Sequence, residues 1–163
     1  MDKESIMNIK DNRSIFYTTF CGLKYPIVIL KDEDLYLTRG AKLISHTYSD
    51  NVGEIKFDRP IEQINYAMFS NYGGHNCDLA CLWLPETVSV IKECIWTDEE
   101  NITLYLRSKL PPRVLMDSDD YCEFFDKEEL FEAVYVPVKS VQLYKCHPIW
   151  GHYHREKIIG YNL

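Results

Sequence analysis

Hydrophobic and polar positions alternate along much of this chain, and the alternation predicts strands more often than helices. After a polar N-terminal arm over residues 1–13, residues 15–20 (IFYTTF) are aromatic and β-branched, and 25–30 (YPIVIL) form an apolar run. Pro26 belongs at the start of that run or on a sheet edge, because it cannot donate to a ladder. Cys21-Gly22 is placed to turn the chain between the two runs. Residues 35–48 alternate well enough for two short strands around Gly40, 49–53 (SDNVG) is a turn, and 54–58 alternates after it. Pro60 opens an expected short helix, with Ile61, Ile64, Met68 and Phe69 near helical spacing and Asn71-Tyr72-Gly73-Gly74 as its stop. Residues 77–84 read as a central strand or a short helix.

The second half follows the same reasoning. Residues 87–96 and 102–108 flank a polar turn at 97–101 and predict a hairpin, stopped by Pro111-Pro112. Asp126 and Glu129 fit a capping box, behind which Leu130, Phe131 and Val134 predict a short helix. Residues 133–146 look strand-rich with a break at Pro137, and 157–161 end the pattern as a strand. The pattern as a whole predicts an α+β fold, a mainly antiparallel β-sheet with one or two short helices, built as a single globular domain over residues 14–163.

Composition fits that expectation: 163 residues, 46% of them apolar, can bury a core. Charge changes the picture more. Residues 117–132 read DSDDYCEFFDKEELFE, with eight acids and one base. The stretch carries a net charge of −7, which is the net charge of the whole chain, so the other residues sum to zero. Its acids alternate with Tyr121, Phe124, Phe125, Leu130 and Phe131. A charge run is ordinarily a solvated face. Carboxylates interleaved with large aromatic side chains also suit a protein interface, where aromatics anchor and charge sets complementarity. A calcium loop is a poorer match, since the stretch lacks the central glycine of that pattern.

The sequence pI near 5.2 and the absence of a long basic run argue against nucleic acid or an anionic membrane as partner. A basic protein partner is favoured. The first 13 residues are charged throughout, without an apolar leader, which leads to an expectation of a cytoplasmic protein. Six cysteines, at 21, 77, 81, 94, 122 and 146, are expected to be reduced thiols there.

Three other constellations compete for a chemical role. His75, Cys77 and Cys81, with Cys146-His147 and His152/His154, offer zinc-type donors, but their spacing matches no standard finger or ribbon. Cys77, after Gly73-Gly74 and near His75 and Asp78, is a candidate nucleophile. His152 and His154 are a candidate acid and base, weakened by the lack of a basic groove for phosphates. Each has a blander explanation as core thiols or as a polar aromatic segment packed on the domain. No cofactor, metal or catalytic residue is therefore assigned. The expected site is a partner-binding face of Asp117, Asp119, Asp120, Tyr121, Glu123, Phe124, Asp126, Glu128, Glu129 and Glu132. The function expected from it is that of a small acidic cytosolic binding protein, in its most concrete form an immunity protein or inhibitor of a basic, nuclease-type toxin. The alternative is a Cys/His-dependent enzyme, with or without zinc, using residues 75–81 and 146–154. Clustering of those Cys and His residues in one cleft would separate the two.

Overall fold

A computed structural model describes residues 5–6, 8–24, 38–64, 79–92, 101–115 and 130–162. Ten strands are described: β1 (Ser14–Thr19), β2 (Leu43–Ser49), β3 (Val52–Phe57), β4 (Gln63–Ile64), β5 (Leu79–Leu84), β6 (Val90–Lys92), β7 (Ile102–Leu106), β8 (Arg113–Leu115), β9 (Phe131–Pro137) and β10 (Ile158–Tyr161). Two short helices, α1 (Val141–Lys145) and α2 (Trp150–His154), lie between β9 and β10. The fold is mixed α+β, as the sequence pattern predicts.

Seven strands form one sheet in the order β10-β9-β7-β5-β1-β3-β2, and β4-β6-β8 form a second, three-stranded sheet. The pairs β2/β3, β3/β1 and β1/β5 are antiparallel. From β5 outward, β5/β7, β7/β9 and β9/β10 are parallel, and so are the pairs of the small sheet. Between β4 and β9 the chain alternates between sheets like turns of a coil, each strand of the small sheet preceding its counterpart in the large one. The main core lies between the large sheet and the small sheet with its helices, and includes Ile15, Tyr17, Leu82, Leu104, Val134, Ile64, Ile91, Val114, Tyr144 and Trp150. The opposite face carries a smaller cluster of Ile6, Phe16, Cys81, Trp83 and Tyr105.

Three local expectations meet different outcomes. The turn at 49–53 is a two-residue hairpin: Asp50 and Asn51 both have positive φ, at 50° and 61°, and Ser49 pairs with Val52. Asp and Asn tolerate that conformation, and such a turn matches the twist of the flanking strands. The hairpin over 87–108 is corrected: β6 and β7 lie in different sheets. Every residue of β7 is buried, as in parallel strands covered on both faces, so its alternation carried no record of which strand it would pair with. The helix opening at Pro60 is also corrected over its described part, because Gln63–Ile64 pairs with β6 as a strand; Met68, Phe69 and the stop at 71–74 lie outside the described residues.

The helix expected at 130–134 is replaced by β9. The register slips between Ile102 and Thr103, which pair with Phe131 and Ala133, leaving Glu132 as the extra residue of a bulge. The bulge shifts the parity of the strand, so Phe131, Val134 and Val136 all enter the main core. A bulged strand thus imitates helical spacing. The reverse error occurs after Pro137, where 138–145 looks strand-like but forms a short 3-10 turn and α1, with Tyr144 buried. Valine-rich composition gives way there to packing. The strand expected at 157–161 is β10.

The polar arm is tied to the sheet in its described part. The Asn12 carbonyl accepts from Ile61 N–H (2.9 Å), the Arg13 carbonyl from Phe57 N–H (2.9 Å), and Arg107 Nη2 donates to the Asp11 carbonyl (2.8 Å). At the turn before residue 24, Gly22 has φ 68° and its N–H donates to the Thr19 carbonyl. Cys21 is disulfide-bonded, whereas Cys81 and Cys146 are free thiols. The expectation that all six cysteines are reduced is therefore corrected at Cys21.

Tyr17 connects this architecture to pH. Its ring is fully buried, and its hydroxyl lies 2.6 Å from His46 Nε2. Burial of His46, with a contribution from the Lys24 charge, pulls its pKa from 6.5 down to about 4. The folded state thus refuses a proton that the unfolded chain accepts between pH 6.5 and 4. Stability from this group is complete above that window and is lost as pH falls through it. After allowance for the partial exposure of His46, the loss is about 2 kcal/mol. Urea unfolding at neutral and acidic pH should show a smaller acid penalty in His46→Gln than in the unaltered protein; equal penalties would rule out His46 as the source of the acid sensitivity.

Candidate functional site

The acidic stretch enters the described structure at its C-terminal end. Asp117, Asp119, Asp120, Tyr121, Glu123, Phe124, Asp126, Glu128 and Glu129 lie outside the described residues, as does the capping box. Glu132 is described: it is exposed at the amino end of β9, a strand inside the seven-stranded sheet. The bulge frees its side chain from the ladder's alternation, and Thr103 Oγ1 donates to Glu132 Oε2 at 3.2 Å. The acidic stretch therefore leads directly into a rigid support.

That support is a row of aromatic residues that the sequence pattern did not single out. Phe16, Trp83, Tyr105 and Tyr135 occupy matched register positions on β1, β5, β7 and β9. Trp83 and Tyr105 stack with centroids 4.9 Å apart and planes 7° apart; Tyr105 and Tyr135 stack at 4.7 Å and 9°. Parallel pairing puts equivalent side chains directly beside one another, and flat stacking of adjacent rings follows. Only the alternation of aromatic with aliphatic residues inside β5, β7 and β9 hinted at it, because register is not written in the sequence. Burial, then the neighbouring Cys81, Tyr135 and Glu132, pushes the Tyr105 hydroxyl up to about 12, so it stays protonated through the physiological range. Trp83 Nε1 is buried without a hydrogen-bond partner among the described residues.

The cysteines and histidines of the competing constellations are distributed differently. His75, Cys77 and Asp78 lie outside the described residues. Cys81 is buried in the aromatic-face cluster. Cys146 is exposed at the end of α1, on the side of the sheet where Tyr144 and Trp150 join the main core. His147 acts as a helix cap: its Nδ1 accepts from the N–H groups of Ile149 (3.2 Å) and Trp150 (3.3 Å) at the start of α2, and burial lowers its pKa. The polar aromatic segment around His152 and His154 forms α2. His152 is exposed and stacks edge-on with Tyr153 at 4.7 Å, while His154 is buried with its ring edge-on to Phe131 at 4.8 Å. Cys81 and the histidines of α2 thus belong to opposite faces of the sheet. Among the described residues no three His, Cys, Asp or Glu side chains gather in a metal-binding group, and no helix is long and apolar enough to cross a membrane. No protein-family model matches the chain, and neither a curated protein nor a solved structure matches it significantly.

Proposed function

We propose that this is a small binding protein whose residues 117–132 dock a basic protein partner. The observation that carries the proposal is the confinement of the whole net charge of −7 to that one aromatic-rich stretch. Opposed fields steer association, and aromatic side chains supply the desolvated anchors of an interface. The stacked row beneath Glu132 supports the same reading, since a docking face is better held by a stiff strand than by a loop. In its most concrete form the protein is an immunity protein or inhibitor that covers the phosphate-binding surface of a nuclease-type toxin, with carboxylates standing where phosphates would bind. A cytoplasmic setting belongs to the same proposal; the disulfide at Cys21 weighs against it, because disulfides persist in oxidising compartments.

The test is a pull-down from the native cell followed by mass spectrometry, with the unaltered protein and a variant reversed at Asp119, Asp120, Glu128 and Glu129 run side by side. The proposal expects a basic protein retained by the first at low salt and lost by the second. Equal recovery on both baits would reject the acidic stretch as the interface. The enzyme alternative gains no specific support, since Cys81 is not brought together with Cys146 or His152.

A further inference from the structure

At the edge of the sheet opposite the entry of the acidic stretch, the parallel strands β7, β9 and β10 end side by side. A crevice of about 330 Å³ opens there. Such volumes lie at the lower end of those that hold small ligands, and the carboxyl ends of parallel strands are a recurrent place for them. Its walls are held from several sides. Tyr161 at the end of β10 donates its hydroxyl to the Leu106 carbonyl at 3.2 Å. The segment that carries Lys109 is tied down by Tyr144, whose hydroxyl lies 2.9 Å from the Ser108 carbonyl and 3.1 Å from that of Leu110. Trp150 Nε1 donates to the Pro112 carbonyl at 2.8 Å. Gly160 allows β10 to approach the 3-10 turn so closely that an added Cβ would sit 3.1 Å from Val138 Cα.

The polar groups lining this built crevice share one chemistry. Lys139 is exposed and forms no ion pair among the described residues. Ser140, 6% exposed, caps no helix with its side chain, and its hydroxyl bonds to no described residue although it lines the crevice. The hydroxyl is therefore available to a ligand that enters the crevice. Lys109, bridged to Glu86 at 3.1 Å, and Asn162 complete the polar rim. The remaining surface is apolar, from Val138 and the ring of Tyr161. Two ammonium groups, a hydroxyl and an amide suit a dianionic oxygen cluster, and the apolar wall suits a carbon body attached to it.

We propose that this crevice binds a small organic phosphate, with Lys139 and Ser140 as the principal contacts, Lys109 and Asn162 at the rim, and Val138 and Tyr161 against the carbon body. The site is independent of the acidic docking face, so either can fail alone.

Phenyl phosphate is the probe, followed by backbone amide shifts on the full chain. Saturable shifts should appear at Val138, Ser140 and Asn162 at millimolar concentration. Lys139→Gln and Ser140→Ala should each weaken binding by about tenfold. Lys42→Gln, beside the opposite edge strand, should leave it unchanged. Benzoate, with one charge less, and inorganic phosphate, with no carbon body, should both bind more weakly. The proposal is overturned if the shifts do not saturate, if they centre on other residues, or if Lys139→Gln binds as the unaltered protein does. It is overturned equally if benzoate or inorganic phosphate matches phenyl phosphate. Both substitutions are small, and an otherwise unchanged spectrum shows that each variant is folded.

Discussion

Gly53→Ala should destabilise the protein by about 3 kcal/mol. Gly53 lies opposite Tyr17 across the β1/β3 ladder, and the tyrosine ring covers its Cα: a Cβ built there would lie 2.0 Å from Tyr17 Cζ. A methyl group cannot share that space, so the ring must leave its place. Tyr17 is fully buried in the main core, contacts Tyr48 with centroids 6.0 Å apart, and is hydrogen-bonded to His46. Moving it disturbs three strands at once. Such a loss is a large part of the roughly 5–15 kcal/mol that holds a domain together. Urea unfolding measures it through a lowered midpoint. A double-mutant cycle with Tyr17→Ala should show strong non-additivity, because the second substitution removes the ring that the first displaces. Independent, additive effects would mean that ring and glycine do not compete for the same space.

Reversing Asp119, Asp120, Glu128 and Glu129 to lysine should slow association with the partner by about a hundredfold at low salt. The reversal takes the stretch from strongly negative to nearly neutral. Electrostatic steering acts on encounter, so the larger change belongs in the association rate and the smaller one in dissociation. Stability should change little, since the role proposed for these carboxylates is in binding and not in folding. Stopped-flow association and urea unfolding on the same variant separate the two effects. A variant that associated at the unaltered rate would exclude steering by this stretch.

The sequence told much about the sheet's elements and little about their partners. Alternation located β3, the pattern at 157–161 located β10, and Asp50-Asn51 announced its turn, because these signals are local; the apolar run at 77–84 left strand and short helix open, and its described part is β5. The pairing of β7 was not legible, since a strand buried on both faces has no polar side to orient it. The strand at Phe131–Pro137 resembled a helix because the Glu132 bulge reset its parity. In α1 the resemblance ran the other way: Val141 and Tyr144 have strand-forming side chains, yet lie on a short helix against the core.

The candidate site was legible in proportion to its dependence on charge. A run of acids is visible in any sequence. The aromatic row that supports Glu132 depends on register across β5, β7 and β9, which no spacing rule supplies. The crevice at Lys139 and Ser140 was illegible for a similar reason: it joins residues from the ends of three strands, and neither residue stands out in its own segment. The Cys and His motifs illustrate the converse, because residue type alone joined Cys81 to residues 146–154, which the sheet separates from it. His147 has become a helix cap, and Cys81 faces away from α2.

The most direct test of the acidic docking face is the association rate with the captured partner, measured across a series of salt concentrations. Steering by the acidic stretch predicts a rate that falls steeply as salt rises and shortens the Debye length below about 10 Å, and a nearly flat dependence for the four-fold reversed variant. A rate independent of salt in the unaltered protein, or a slope that the reversal leaves intact, would contradict it.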